Sequence, residues 1–565
     1  MNDAPKTART VVGVRHPMPG VVYPQPEELA GYVRDGLLGD ETLVDAFRKA
    51  ARDNAGKVAL AGPEGYMSYR ELDEQTDRLA AALLREGLAP LDRVMFQLGN
   101  SMQLLIGWLA CLKAGLIPVC TLAAHRESEI GSLARLANAR LHFVQGDDPK
   151  FDDVAFARKM QGLVPSLTMI LQARGEARGG ASHLKALIDS ITLEEATTAL
   201  RDVELDPYQV AVFQLSGGTT GVSKIIPRFH NEYLYNMRSV GKWLGYTRDD
   251  VLLMPLPFVH NLNMGCCFGP FLMLGATVTV APNLQPDTLM GIVAKERPTW
   301  LMLNGPIVAR LEGALAAGEI DLSHVRGCIS PSGAGKMREL LGVPVYHIFG
   351  MTEGVIMLTH EGDPLEALDT TVGRPVSPAD KVRILEPGTE DDVAVGQTGE
   401  PAFKGPYTIH GYYDAQERNR ESFTNDGYYR SGDLMTTKVI DGDTYYVFSG
   451  RLKDVISRGG EKINAQEVEL AISGHLSVAA VAVIGMPDPV FGEKACAFIV
   501  LREGWPAPTV GDIGAYLLSY GLAKFKWPER VEIVDAFPLT KSGKLSKPGL
   551  RELLASRLQL DAGAH

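Results

Sequence analysis

Between Ser68 and Cys120 the chain alternates strand and helix patterns, and this rhythm limits its possible folds more than any other feature. Ser68-Tyr-Arg-Glu71 has the spacing of a capping box, in which serine and glutamate satisfy N–H groups at a helix start. Leu72, Leu79, Leu83 and Leu84 then share one helical face, and the helix ends near Gly87. Arg93 to Leu98 reads as a strand. Asn100 reads as the cap of a helix through Ala114, and Leu116 to Cys120 as the next strand. Such β-α-β units predict an α/β fold, a largely parallel sheet covered by helices on both faces.

The rhythm changes after about Pro375. KVRILEP, GEPAFKG and TYYVFSG are short strand patterns separated by glycine and aspartate turns. They predict a small β-rich unit ending near Gly450. Beyond it, VAAVAVIGMPD and KACAFIVLRE read as strands and Gln466 to Ser473 as a helix. The expected organisation is a large N-terminal domain over 1–450, a smaller α+β domain over 451–558, and a frayed tail over 559–565.

Charge and cysteine content narrow the function. Lys+Arg number 56 against 68 Asp+Glu, a net charge of −12, which argues against a nucleic-acid partner held by general basicity. Six cysteines with no CxxC or Cys/His cluster argue against a disulfide framework and a zinc site. The first residues, MNDAPKTARTVV, lack an apolar signal core, so a cytoplasmic enzyme is expected. From Val251 to Pro286 there is no Asp, Glu, Lys or Arg. Pro255, Pro257, Pro270, His260, Asn261 and Asn263 interrupt this run. It therefore reads as strand, loop and buried helix, with no membrane partner and with a loop suited to line a pocket.

The strongest local motif is Ser216-Gly217-Gly218-Thr219-Thr220-Gly221, continued by Val222, Ser223 and Lys224, directly after the strand pattern QVAVFQLS. Small residues let backbone N–H groups approach phosphate oxygens, and threonine hydroxyls and a lysine add donors and charge. The order is not that of a Walker A loop. On these grounds alone the run fits a phosphate-gripping loop or an ordinary surface loop.

The run SGGTTGVSKIIPR resembles the phosphate loop of the adenylate-forming superfamily, which includes acyl-CoA synthetases, peptide-synthetase adenylation domains and luciferases. FGMTEG (349–354), VGRP (372–375), YYRSGD (428–433), GRLKDVISRGGEKIN (450–464) and PLTKSGKLSK (538–547) follow in the superfamily's order. GGTTGVSKIIPR, GPYTIHGYY and RGGEKIN are closer still to the stand-alone aryl acid adenylating enzymes, which load 2,3-dihydroxybenzoate or salicylate in siderophore assembly. The resemblance covers nearly the whole chain.

The resemblance implies ATP and Mg²⁺ as cofactors and a role for each matching residue. Glu353 holds the metal and Thr352 contacts the α-phosphate. Asp433 binds the ribose hydroxyls with help from Arg451. Lys544, after Gly543, bridges the acyl carboxylate and α-phosphate as a fixed positive charge. Lys453 is the hinge about which the C-terminal domain turns, and Gly459 and Gly460 line the tunnel for the thiol. His260 and Asn261 open the acid pocket, and Asn261 meets an ortho substituent. Cys266 stands where dihydroxybenzoate enzymes carry serine and salicylate enzymes tend to carry cysteine. Asn263 departs from the pattern, since proline is common there. Gly333 lies on the adenine side, and Ala334, Val355 and Ile356 line the aryl ring.

The expected reaction is ATP-dependent conversion of a salicylate-like acid to its adenylate, then transfer to a phosphopantetheine thiol. That thiol belongs to an aryl carrier protein or to free CoA, and the sequence leaves both open. An inactive binding module on the same fold is the remote alternative.

Overall fold

The computed structural model describes residues 12–216, 223–458, 461–520, 522, 524–540 and 543–563. These residues fall into two compact units. The larger combines residues up to 216, 223–381 and 403–429, and the smaller combines 382–402 with the chain from 430 onward.

Among the described residues the large unit carries a seven-stranded and a nine-stranded sheet. The β-α-β reading holds at the residue level. Ser68 and Glu71 form the capping box of a helix over Tyr69–Arg85, with Leu72, Leu79 and Leu83 buried and Leu84 packed against the core. The strands Arg93–Gln97 and Ile117–Cys120 pair in parallel. Between them runs the helix Met102–Lys113, apolar on all sides and buried along almost its whole length. Its cap is Ser101, not Asn100: the Ser101 hydroxyl accepts from Leu104 N–H. Asn100 is used elsewhere. Its amide donates to the carbonyls of Pro255 and Leu256, and its oxygen accepts from Phe258 N–H. The side chain expected to start a helix thus pins the charge-free segment.

That segment begins with the strand Val251–Leu253 and ends with the strand Thr277–Thr279. The loop expected around Asn261 is instead helical. Asn261–Asn263 form one turn, Met264–Phe268 a π-turn, and Gly269–Leu274 complete the helix. Tertiary bonds override the weak helix propensity of asparagine. The Asn263 amide donates to the Pro257 carbonyl at 2.7 Å. Gly269 is required, because a Cβ there would meet the Met264 carbonyl at 2.1 Å. Among the described residues no helix is long and apolar enough to cross a membrane.

The strands Val210–Leu215 and Ile225–Phe229 are antiparallel neighbours, so the glycine-threonine run joins adjacent strand ends. Its neck is closed by Ser216 N–H to the Lys224 carbonyl at 2.9 Å and by Lys224 N–H to the Ser216 hydroxyl at 3.0 Å.

The small unit holds the predicted strand Asp443–Arg451 and most of the strands Lys381–Leu385 and Thr398–Lys404, of which Lys381, Phe403 and Lys404 fall in the large unit. Packing groups them with a second five-stranded sheet that contains Val478–Asp488 and Gly492–Leu501, against which the helix Ala465–Ser473 lies.

Candidate active site

In the large unit the site is organised around Arg228, at the end of the strand that follows the phosphate loop. Its side chain is 1% exposed. Nε and Nη2 donate to the two carboxylate oxygens of Glu232 at 2.8 and 2.9 Å. Nη1 donates to Asn261 Oδ1 at 3.1 Å and to the Thr352 carbonyl at 3.2 Å, and Nη2 reaches Asn236 Oδ1 at 3.4 Å. A guanidinium has five N–H donors, and these five contacts use them all. The Tyr233 ring lies under the cation at 4.3 Å, and its hydroxyl donates to Asn261 Oδ1 at 2.8 Å. One buried cation therefore ties together the strand after the phosphate loop, the segment of Asn261 and the segment of Thr352.

His260 immediately precedes the Asn261 turn, and its carbonyl accepts from Asn263 and Met264 N–H. Cys266 sits on the π-turn and is fully buried. Burial pushes its thiol up to about 12, although the Arg228 charge acts the other way. Val355 and Ile356 are buried in the strand after Glu353. Val355 adopts φ +45°, an outlier for a β-branched residue, and such strain clusters at functional sites. Behind Ile356, its N–H donates to the Tyr407 hydroxyl, which donates to Asp380 at 2.5 Å. Burial raises the Asp380 carboxyl to about 7, and the bond from Tyr407 opposes the rise. Gly333, at φ +64°, starts the helix Ala334–Leu341, and Ala334 is buried.

Glu353 is also buried. Its Oε1 accepts from the Tyr412 hydroxyl at 2.8 Å, which in turn accepts from Tyr429 at 2.9 Å. Burial raises the Glu353 pKa, while the bond from Tyr412 and the charges of Lys224 and Arg228 lower it. The Lys224 ammonium lies 5.0 Å from the centre of the Tyr412 ring. Desolvation and Arg418 lower its pKa, and Glu353 raises it.

The small unit gathers the other predicted cations. Asp433 and Arg451 face each other across paired strands, with Nε to Oδ1 at 3.6 Å. Lys453 lies in the short turn Leu452–Asp454, directly after that strand. Lys544 stands on a turn. Its N–H donates to the Thr540 hydroxyl, and its carbonyl accepts from Thr540 N–H at 2.7 Å. Gly543, at φ +77°, makes the turn possible. Desolvation and the Arg451 charge lower the Lys544 pKa. Gly217, Gly218, Thr219, Thr220, Gly221, Gly459 and Gly460 lie outside the described residues.

Sequence reasoning passed over Arg228, Glu232, Tyr233, Tyr412 and Tyr429. A signal existed for the first pair: Arg228 closes the quoted motif and Glu232 stands four residues later. Tyr412 and Tyr429 lie in the quoted motifs GPYTIHGYY and YYRSGD, but only the fold brings them to Glu353, and Tyr233 to Asn261.

The AMP-binding enzyme family model matches residues 47–413, and the model of the family's C-terminal domain matches 467–544. The chain is 36% identical over 556 residues to pyochelin synthase PchD of Pseudomonas aeruginosa, covering 96% of this chain and 99% of the relative. It is also 36% identical over 545 residues to the 2,3-dihydroxybenzoate-AMP ligase of Bacillus subtilis, covering 95% and 98%. The apo structure of Mycobacterium smegmatis MbtA superposes with a TM-score of 0.70 at 30% identity, over 94% of this chain and 98% of that one. Matches of this length leave no large part of either unit unaccounted for, and the chain belongs to the AMP-binding, adenylate-forming family of enzymes.

Proposed function

We propose that the protein is an ATP-dependent aryl acid–AMP ligase acting on a salicylate-like, 2-substituted benzoate. The observation that carries the acid class is Asn261: an amide anchored by Arg228 and Tyr233 in a buried, mostly apolar segment whose other asparagine, Asn263, donates to the Pro257 carbonyl. An apolar wall with one oriented amide suits a planar ring bearing an ortho group. Relatives named as 2,3-dihydroxybenzoate-AMP ligases, alike over nearly their full length, support the aryl acid–AMP ligase part of this reading.

In the first half-reaction a carboxylate oxygen of the acid attacks the α-phosphorus of ATP. The bond to the β-phosphate bridging oxygen breaks, and pyrophosphate leaves. Ser216, the run Gly217 to Gly221, Lys224 and Thr352 hold phosphate oxygens, and Lys544 stabilises the charge that develops between carboxylate and α-phosphate. Asp433 and Arg451 hold the ribose, and Gly333 turns the chain beside the adenine. His260, Asn261, Cys266, Ala334, Val355 and Ile356 receive the acid. In the second half-reaction a phosphopantetheine thiol attacks the activated carbonyl and AMP leaves. Lys453 is the hinge for that step, and Gly459 and Gly460 border the path of the thiol.

Mg²⁺ fits Glu353 by donor chemistry. Among the described residues no group of three or more His, Cys, Asp or Glu could cage a metal. Mg²⁺ in nucleotide sites instead uses one or two carboxylates and fills its remaining positions with phosphate and water. Glu353 would hold it, and the ion would neutralise phosphate charge when bound.

ATP–pyrophosphate exchange over a panel of benzoates tests the first half-reaction. Salicylate-dependent exchange is expected, and its absence with every benzoate sinks the proposal. Thioester formation with CoA and with aryl carrier proteins then identifies the acceptor, for which an aryl carrier protein is the expected answer.

A further inference from the structure

Asn261 has one amide oxygen and one amide nitrogen, and their placement decides what the side chain can offer a ligand. Oδ1 accepts from Arg228 Nη1 at 3.1 Å and from the Tyr233 hydroxyl at 2.8 Å, which uses both of its lone pairs. Nδ2 has no hydrogen-bond partner among the described residues. Turning the amide over would set its NH₂ group against the guanidinium. A tyrosine hydroxyl could adapt by accepting, but a guanidinium has no acceptor. Arg228 therefore decides the orientation. Arg228 is itself held: Glu232 grips it with both oxygens, and Glu232 Oε1 also accepts from Phe229 N–H at 2.8 Å.

We propose that Arg228 is a positioning residue for acid selection, locking the Asn261 amide so that it offers only N–H donors and so favours an ortho oxygen over an ortho amine. The inference rests on the aryl acid reading above and names the substrate class within it. The hydroxyl of 2-hydroxybenzoate gives its proton to its own carboxylate and keeps an oxygen lone pair for Asn261. The amino group of 2-aminobenzoate has its lone pair drawn into the ring, so it meets the amide donor as a second donor. An unmatched polar contact of this kind reduces kcat/KM by about 5- to 150-fold. The same guanidinium binds the Thr352 carbonyl, so acid selection shares its anchor with the segment that precedes Glu353.

The test is ATP–pyrophosphate exchange with salicylate, 2-aminobenzoate and benzoate, read as ratios of kcat/KM. Wild type should prefer salicylate to 2-aminobenzoate by about tenfold or more; parity or the reverse overturns the proposal. Arg228→Met combined with Glu232→Gln removes both charges yet keeps an acceptor for Phe229 N–H. It should collapse the salicylate to 2-aminobenzoate ratio about tenfold. A purely structural role would lower all three acids together and leave that ratio unchanged, which also overturns the proposal. Asn261→Asp keeps an oxygen toward Arg228 and turns a second oxygen, an acceptor, to the acid. It should move the ratio about tenfold toward 2-aminobenzoate, and this test stands even if the double variant fails to fold. Failure of wild type to exchange with any of the three acids is a different result: it removes the aryl acid reading itself.

Discussion

Arg228 and Lys544 are the two cations on which the proposed chemistry turns, and they are held in opposite ways. Arg228 is buried, its five N–H groups are all spent on protein acceptors, and a bidentate carboxylate fixes it. Lys544 stands on a glycine turn whose described hydrogen bonds use only its backbone. A charge spent entirely on protein groups cannot serve a reacting phosphate, but it can hold a recognition surface in one shape. A charge held only by its backbone keeps its ammonium donors for a ligand. In the proposed chemistry, selection of the acid would then fall to the rigid cation and stabilisation of the transition state to the uncommitted one.

The largest effect expected from breaking this contrast is on folding. Arg228→Met alone leaves Glu232 buried without its partner, which costs about 3–5 kcal/mol. Denaturant unfolding should show that loss, and addition of Glu232→Gln should recover much of it. Lys544→Ala should leave stability near wild type but remove about 3–4 kcal/mol of transition-state stabilisation, or ~10²–10³ in rate. Single-turnover assays should place the loss in adenylate formation, with transfer from supplied aryl-AMP largely spared. Equal loss in both half-reactions would contradict the division of labour.

Cys266→Ser tests the recognition surface more gently. A hydroxyl can partner a ring 3-hydroxyl where a thiol bonds weakly, so the variant should gain about 1–3 kcal/mol toward 2,3-dihydroxybenzoate relative to salicylate. Competition between the two acids in pyrophosphate exchange measures it directly.

The smallest effect concerns Asp380 behind Ile356. Its carboxyl is raised to about 7, chiefly by burial. A raised folded pKa favours the protonated form in the fold. The associated stability is present below the unfolded value near 4 and fades as pH rises toward 7. Asp380→Asn should therefore stabilise by about 1–2 kcal/mol at pH 8, and the gain should shrink steadily toward pH 4. Melting temperatures across that range check the sign.

Much of the fold could be read along the chain because its signals are local. The Ser68–Glu71 box, the strand beginning at Arg93 and the strand over Val478–Asp488 each depend on spacing that neighbours reveal. The Asn100 cap was misplaced by one residue, since Ser101 is as good a cap and only the fold shows that Asn100 is engaged by the 255–258 segment. The helical turn at Asn261 was hidden for the same reason: asparagine, glycine and proline suggest a loop until the tertiary bonds are known. In the candidate site, the residues proposed to contact ligand sit in motifs and were named from them. The groups that orient them, Arg228 on Asn261 and Tyr412 on Glu353, were not, because orientation arises from contacts between distant segments.

The burial of Cys266 has a chemical consequence. An acyl-adenylate is an electrophile built to be captured by sulfur, and the proposed acid wall contains a sulfur atom. With burial pushing the Cys266 thiol up to about 12, it stays in its neutral, weakly nucleophilic form at neutral pH. In the proposed pocket such a thiol would be a poor nucleophile toward the aryl-AMP, leaving it for the incoming thiol. Incubation with acid and ATP, without an acceptor, should leave the intact protein mass unchanged.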